Sequence, residues 1–153
     1  MSDRAAAQGY GVYEQGACAM ARAGAAVAAP CEDGSAIFFN PAALAVQRAG
    51  SRLSAGATLI GPRGDFVSFD GRTSGTMKNN WLPVPAAYYT RPVGQRLAVG
   101  FGVFVPFGLT VEWPVEFAGR FVSYKTLLQA PYLQPTIAYK INDHVAIGGG
   151  PDF

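Results

Sequence analysis

Charged side chains are scarce in this chain of 153 residues, of which only 14% are Asp, Glu, Lys or Arg. An average soluble domain carries about 25%. The net charge is +2 and the basic residues form no cluster, so we expect no nucleic-acid partner. Long hydrophobic runs are also missing, because no apolar stretch reaches the ~18–20 residues of a transmembrane helix.

Residues that carry chemistry are equally few. The single histidine, His144, has no partner at the spacing of a metal site, and the sequence shows no nucleophile elbow, phosphate-binding loop or paired-carboxylate motif. We therefore expect no metal, no cofactor and no enzyme activity. The first residues lack the pattern of a secretory signal peptide. This absence carries little weight against export.

Glycine and aromatic residues are abundant, with 19 Gly, 10 Phe and 7 Tyr. So many aromatic side chains argue against disorder. Together with the low charge and the absence of a spanning helix, they indicate an all-β soluble domain or a membrane β-barrel.

The first fifty residues lack the pattern of strands. The Ala-rich stretch 17–29 predicts a helix that Pro30 ends. Cys18 lies within this stretch and Cys31 follows it. A disulfide in an oxidising compartment would be possible, but a spacing of thirteen residues fixes no geometry, so two free buried thiols are favoured.

The stretch DGSAIFFNPAAL at 33–44 predicts a second short helix. It brings Phe38 and Phe39 into an interior, and Asn40 then reads as the N-cap with Pro41 at the first helical position. We expect this helix to run to about residue 49 and to end at Gly50. An ordinary cap is favoured for Asn40 over a movable element that the cap holds closed.

From residue 52 the hydrophobic period changes to two, as in strands. Long and short links alternate between the predicted strands, which we place at 52–60, 82–90, 97–105, 127–141 and 145–150. Strands of ~9–11 residues with such links are typical of an outer-membrane barrel. A soluble sandwich would explain the alternation but not this regularity.

The predicted fold class is all-β, a partial transmembrane antiparallel β-barrel of about four to five strands. We expect a helical hatch, or plug, at 1–50 and the first barrel strands at 51–153. So few strands cannot close a barrel, and the smallest membrane barrels need ~8. The sequence therefore predicts the N-terminal part of a larger barrel.

Four motifs carry a resemblance to a known family: QGYGVYEQGA at 8–17, EDGSAIFFNPAAL at 32–44, LAVGFGVFVPFGLTVEW at 97–113 and PTIAYKIND at 135–143. With these motifs the chain resembles the N-terminal part of the FadL/TodX outer-membrane transporters. The resemblance implies uptake of long-chain fatty acids or other hydrophobic compounds in the outer membrane of a Gram-negative bacterium. It also implies a hatch that rearranges and a sideways exit through a gap at a kink in the third strand.

By the same resemblance, Asn40, Pro41 and Ala42 are the hatch motif. The kink region is 104–109, and its candidate residues are Phe104, Pro106, Phe107 and Gly108. The two cysteines are not part of the family pattern. We expect passive diffusion by a barrel that is monomeric at full length, with outer-membrane lipid and hydrophobic small molecules as partners. The alternatives are an aromatic-hydrocarbon channel of the same family and a structural or adhesive barrel.

The third predicted strand has one face of small residues, Ala98, Gly100 and Gly102. If its Leu/Val/Phe face meets lipid, this face meets the lumen, where a porin would place charges. An uncharged lining suits a plug or an apolar ligand, so these residues, with Phe38 and Phe39, are candidates for ligand lining. Relief of strand curvature explains the small residues equally well.

Two prolines mark a predicted weakness between the second and third strands. If the turn pairs Val93 with Arg96, Pro83 lies opposite Pro106, and Pro85 opposite Phe104. Proline cannot donate to the ladder, so both strands would lose pairing toward the long links. We predict the lateral gap at this point, unless both prolines lie in a link beyond the wall.

Overall fold

The structure is a computed structural model that describes residues 10–47, 50–78 and 80–153. Three short helices come first: α1 (Ala17–Ala21), α2 (Ala36–Phe39) and a 3₁₀ helix (Pro41–Ala45). Seven strands follow: β1 (Arg52–Ile60), β2 (Asp65–Val67), β3 (Ser74–Thr76), β4 (Leu82–Val93), β5 (Leu97–Glu112), β6 (Lys125–Lys140) and β7 (Ala146–Gly149). Within the described ranges, no helix is long and apolar enough to cross a bilayer.

Five of these strands form one antiparallel sheet in the order β1-β4-β5-β6-β7, while β2 and β3 form a separate hairpin in the first long link. The strands predicted from the period of two are therefore confirmed. β5 and β6 are longer than predicted, at 16 residues each. A bulge between Phe104 and Phe107 explains the extra length, because their ladder resumes beyond it.

The two faces of the sheet differ in a way that a soluble sandwich does not explain. Apolar side chains on the outer face are exposed, namely Phe101, Val103, Leu133, Ile137 and Tyr139. The inner face is buried beneath residues 10–47, which we call the helical segment. An apolar outer face and a covered inner face are expected of a membrane barrel wall. The predicted fold class is thus confirmed.

The helical segment lies very close to β5. A Cβ atom placed on Gly100 would lie 2.9 Å from Cδ1 of Ile37 and 3.2 Å from Cδ1 of Leu44. Ile37 is fully buried, and burial of such a side chain is worth about 1.5–3 kcal/mol. The small inner residues of β5 therefore have a packing role, since they admit the apolar side chains of the helical segment.

Polar side chains on the inner face of β1 attach the same segment. Arg52 forms an ion pair with Glu32 at 2.8 Å. The hydroxyl of Ser54 donates to the carbonyl of Asp33, and Thr58 Oγ1 donates to the carbonyl oxygen of Glu14 at 3.0 Å. The segment is thus attached to β1 by polar contacts and to β5 by apolar contacts.

The helix predicted at 17–29 is wrong beyond its first turns. α1 ends at Ala21, and the chain turns through Ala23 at φ 51° and Gly24 at φ 82°. The turn brings Cys31 back to Cys18, and the two form a disulfide with Cα atoms 6.1 Å apart. The preference for free thiols is therefore wrong. A continuous helix over this stretch would have carried its end about 16 Å away from Cys18.

The predicted helix after Asn40 is shorter and capped differently. It is a single 3₁₀ stretch that ends at Ala45, well before Gly50, with Pro41 at its first position as predicted. Residues 48 and 49 lie outside the described residues. The side chain of Asn40 makes no cap hydrogen bond, and its Nδ2 donates to the carbonyl oxygen of Val27 at 2.9 Å. Asn40 thus connects the turn after α1 to the 3₁₀ helix.

Candidate functional site

β4 and β5 pair along only part of their length. Their ladder runs from Val93–Leu97 to Ala87–Val103 and, in the described residues, goes no further. β4 nevertheless stays paired with β1 as far as Leu82, and β5 stays paired with β6 to its end. The wall therefore divides toward the long links, and we call the opening between these strands the slot.

The predicted register of this strand pair is wrong by one residue. Val93 pairs with Leu97 and not with Arg96, because the turn holds three residues, 94–96. The burial pattern requires this register, since Tyr88 is buried and Tyr89 exposed. A slip of one residue would place inner side chains opposite outer ones.

Pro83 and Pro85 accordingly do not face Pro106 and Phe104. They lie opposite Leu59 and Ala57 of β1. Neither proline has an N–H to donate toward β5, and 83–86 show no continuous pairing with 103–106 among the described residues. The predicted loss of pairing is present, whereas its role as an exit stays a prediction.

The slot contains an apolar cavity of about 540 Å³. Uncharged side chains from the helical segment, the first long link, β4, β5 and β6 line it, including Val12, Leu82, Val84, Val105 and Leu109. Pro83 and Pro85 are exposed on the outer face, whereas Val12 and Val84 are buried on the inner one. The cavity is therefore lined by residues from both faces of the sheet.

Charged groups lie at the end of the sheet where the long links join the strands, and they do not line the slot. Glu112 Oε1 accepts a hydrogen bond from Lys78 Nζ at 2.8 Å, and Oε2 lies 3.1 Å from Lys125 Nζ. The Glu112 carboxylate raises the pKa of Lys78 above its ordinary value. This cluster holds the first long link against the ends of β5 and β6, and it leaves the slot apolar.

Residues 10–15, which we call the strap, lie across the inner side of the slot. The amide of Val12 donates to the carbonyl of Pro106 at 2.8 Å, and the amide of Gly108 donates to the carbonyl of Tyr10 at 3.0 Å. Gln15 Nε2 donates to the carbonyl of Val105 at 2.9 Å. The edge of β5 that β4 leaves is therefore paired by the strap.

The structure brings only some of the predicted site residues to the slot. Pro83, Pro85 and Gly108 line it. Pro106 binds the strap. Phe104 and Phe107 pack on Tyr132 of β6, with ring centroids 6.4 Å and 6.1 Å from it.

The other candidates lie in the packed interior between the sheet and the helical segment, or in the region of the 3₁₀ helix. Phe38 contacts the rings of Phe39 and Phe104 at 4.8 Å and 5.4 Å between centroids. Ala98, Gly100 and Gly102 lie near the side chains of the helical segment. Asn40, Pro41 and Ala42 lie in or next to the 3₁₀ helix, which contacts β6 and β7. Their roles in ligand lining and in the hatch stay predictions.

The strap was missed from the sequence. Residues 10–15 are YGVYEQ, which have neither a strand period nor a motif for edge pairing. The available signal was the pair of prolines, because a β5 edge without donors from β4 must find partners elsewhere. The sequence does not say which segment supplies them.

The fold is that of a β-barrel wall with an apolar gap between β4 and β5 and a helical segment on its inner face. The sequence model of the family described as "Outer membrane protein transport protein (OMPP1/FadL/TodX)" matches residues 1–153. The chain belongs to this family, which confirms the resemblance seen in the sequence. It is a family of transport proteins of the Gram-negative outer membrane and not a family of enzymes.

Individual relatives agree with this assignment. The 47 kDa outer membrane protein of Pasteurella multocida is 29% identical over 82% of this chain and 29% of its own length. Outer membrane protein P1 of Haemophilus influenzae is 28% identical over 94% of this chain and 35% of its own. The crystal structure of a Pseudomonas aeruginosa FadL homologue shares the fold, with a TM-score of 0.54 at 20% identity over 76% of this chain and 31% of that chain. The chain thus spans about a third of the length of these relatives.

Proposed function

We propose that this chain forms the N-terminal part of a passive channel for long-chain fatty acids or other hydrophobic compounds. Residues 1–50 act as the hatch and residues 51–153 as the first strands of the wall. The solute leaves the lumen when the hatch rearranges and then exits sideways through the slot into outer-membrane lipid. Diffusion down a gradient drives the movement, and the full-length barrel works as a monomer.

The slot is the observation that supports this proposal. Its volume of about 540 Å³ falls within the ~300–1,000 Å³ of small-molecule sites. Its lining is uncharged, and it reaches the outer face beside Pro83 and Pro85. A hydrophilic solute would lose its hydration at such a lining without gaining hydrogen bonds, whereas an apolar chain loses nothing.

The contacts of the hatch motif support a closed state. Asn40 binds the carbonyl of Val27 at 2.9 Å, and Gln47 Nε2 binds the carbonyl of Cys31 at 2.9 Å. Both side chains connect the region of the 3₁₀ helix to the loop after α1. Asn40 of the hatch motif and the nearby Gln47 therefore hold parts of the helical segment together.

Flux through lipid vesicles tests the proposal. The full-length protein is reconstituted, and entry of a fluorescent long-chain fatty acid, an alkylbenzene and a sugar is compared with entry into empty vesicles. Val105→Trp places an indole in the slot, and we expect it to reduce fatty-acid flux at least about tenfold, the factor for ~1.4 kcal/mol. Phe101→Trp is the matched control, because Phe101 lies on the outer face of β5 beyond the slot.

Each result has a defined meaning. Preference for the alkylbenzene over the fatty acid would favour the aromatic-hydrocarbon channel. No flux above that of empty vesicles would favour a structural or adhesive barrel. Equal flux of wild type and Val105→Trp would contradict exit through the slot.

A further inference from the structure

We propose that Lys78 and Lys125 form a phosphate-binding site on the outer surface of the barrel, and that its ligand is a phosphorylated glycolipid of the outer leaflet. Both ammonium groups lie beside one carboxylate. Glu112 Oε1 accepts a hydrogen bond from Lys78 Nζ at 2.8 Å, and Glu112 Oε2 lies 3.1 Å from Lys125 Nζ. The three residues do not line the slot, so the site is independent of the proposed transport.

The outer face of β6 leads from the lipid-facing residues to this site. Alternate residues of a strand share a face, so Lys125 lies on the same face as Ile137 and Tyr139, which are exposed on the outside of the wall. Glu112 pairs directly with Lys125 and shares this face. Between Lys125 and Tyr139 the outward positions of β6 are all uncharged, namely Leu127, Gln129, Pro131, Leu133, Pro135 and Ile137. Lys125 is therefore the first charged residue beyond an uncharged outer surface.

The length of β6 places Lys125 at the level of lipid headgroups. Fourteen residues separate it from Tyr139, which is about 46 Å along the strand and, at a tilt of ~40°, about 35 Å along the membrane normal. As an exposed tyrosine at the short-turn end, Tyr139 belongs to the aromatic girdle that borders the apolar band, and this band is only ~25 Å tall. Lys125 thus lies about 10 Å beyond the band, among the headgroups. Long links face the cell exterior, so these headgroups belong to the outer leaflet.

Glu112 holds the two lysines in place and leaves them available to a ligand. Its side chain is only 17% exposed, whereas those of Lys78 and Lys125 are 43% and 52% exposed. An ammonium group has three donors, and the contact with Glu112 takes one from each lysine. Asn80 Nδ2 also donates to Glu112 Oε2, at 3.1 Å, and so fixes the carboxylate further. Two exposed ammonium groups above one carboxylate leave a net positive charge that a phosphate can neutralise.

The second long link does not cancel this charge. Glu112 is the main cause of the raised pKa of Lys78, and the Glu116 carboxylate contributes less. A guanidinium nitrogen of Arg120 lies 3.4 Å from the carbonyl oxygen of Glu116. The link therefore brings one cation together with its one nearby anion.

The apolar surface below the lysines favours a lipid over free phosphate as the ligand. Leu127 is the next outward residue below Lys125, and its side chain is exposed. A glycolipid of the outer leaflet carries phosphate groups on its sugars and acyl chains beneath them. It can therefore contact both lysines and the apolar band at once, whereas a free phosphate gains only the contacts with charge.

Titration with lipid A, the diphosphorylated glycolipid anchor of lipopolysaccharide, tests the site. The full-length protein in detergent receives EDTA, which removes bridging cations, and native mass spectrometry measures the fraction with bound lipid A. We expect Lys125→Gln and Lys78→Gln each to weaken binding about fivefold, the factor for ~1 kcal/mol per lysine at an anionic lipid. Arg72→Gln is the matched control, because Arg72 is an exposed cation of the first long link near Asp70, at 3.9 Å. It should bind lipid A as the wild type does.

Two further probes distinguish the possible ligands. Lipid A without its phosphates should bind the wild type no more tightly than intact lipid A binds the double variant Lys78→Gln/Lys125→Gln. Millimolar inorganic phosphate should not displace lipid A from the wild type. If it does, the site takes free phosphate, and the lipid is overturned as the ligand.

The remaining outcomes decide the site itself. Equal affinity of the wild type and both single lysine variants, or of the two forms of lipid A for the wild type, would overturn it. An equal loss in Arg72→Gln would reduce it to attraction by overall charge and would overturn it as well. Heat-modifiable migration on gels verifies that each variant is a folded barrel. A protein that binds lipid A as expected but passes no fatty acid would overturn the proposed function and support this site alone.

Discussion

Individual residues on the inner face determine how closely the helical segment approaches the wall. Gly100 leaves room for Ile37 and Leu44, while Gln134 and Thr136 of β6 carry polar groups into buried positions. Outer positions on the same strands carry large apolar side chains, as at Ile137. The distribution of side chains is thus the reverse of that in a soluble sheet, because the small and polar residues face inward and the large apolar residues face outward.

Gly100→Val should loosen the helical segment. The branched side chain would meet Ile37 and Leu44, which a Cβ alone already approaches to 2.9 Å and 3.2 Å. Overpacking of this kind costs about 1–3 kcal/mol. The rate at which a protease cleaves the helical segment in the folded barrel should rise accordingly.

Gly149→Val is the control for this change. Gly149 pairs with the outward Ile137, and nothing lies within 4 Å of its added Cβ. Its cleavage rate should equal that of the wild type. Cleavage that is equally fast in both variants would show that any strand valine loosens the barrel, and would contradict the packing role of Gly100.

Strands were predictable from the sequence where a hydrophobic period of two was the only pattern present. β1 has the predicted bounds, because alternation of apolar and small polar residues is its only pattern. The register between β4 and β5 was not predictable, since it depends on whether the turn before Leu97 holds two residues or three. The predicted length of the helix at 17–29 was wrong for another reason. An Ala-rich sequence favours a continuous helix, but the disulfide between Cys18 and Cys31 requires the chain to turn back. Within the candidate site, the prolines were visible in the sequence and the strap was not.

The disulfide should determine the stability of the loop between α1 and α2. Replacing Cys18 and Cys31 with serine removes a cross-link over a separation of thirteen residues, which is worth about 3 kcal/mol in a loop of this size. We expect faster proteolysis within residues 17–31 and an unchanged barrel, measured by mass spectrometry of the fragments. In the wild type, a maleimide should label both thiols only after reduction.

Ala17→Ser is the control, since Ala17 is exposed on α1 and the change adds a hydroxyl without breaking the cross-link. Labelling of wild-type thiols without reductant would contradict the disulfide. Cleavage as slow in the double variant as in the control would show that packing of Ala19 and Ala26 alone holds the loop.

At the scale of the whole molecule, the helical segment and the slot have different roles in the proposed channel. The segment blocks the lumen, and the slot admits apolar solutes. The segment covers the inner face of the sheet, and the slot lies beside it. Under the proposed function, an apolar solute would follow a path along the wall that does not require an open aqueous lumen. Such a barrel should pass hydrophobic molecules while it blocks ions.

Ion conductance in planar bilayers checks this separation. The full-length protein should conduct poorly, whereas removal of residues 1–47 should give stable, porin-like conductance because the cover of the lumen is lost. Removal of residues 65–76, the hairpin of β2 and β3 in the first long link, is the control and should leave conductance low. Heat-modifiable migration on gels verifies that each shortened protein is a folded barrel. A folded barrel that lacks residues 1–47 and still conducts no better than the wild type would show that the helical segment is not what closes the lumen.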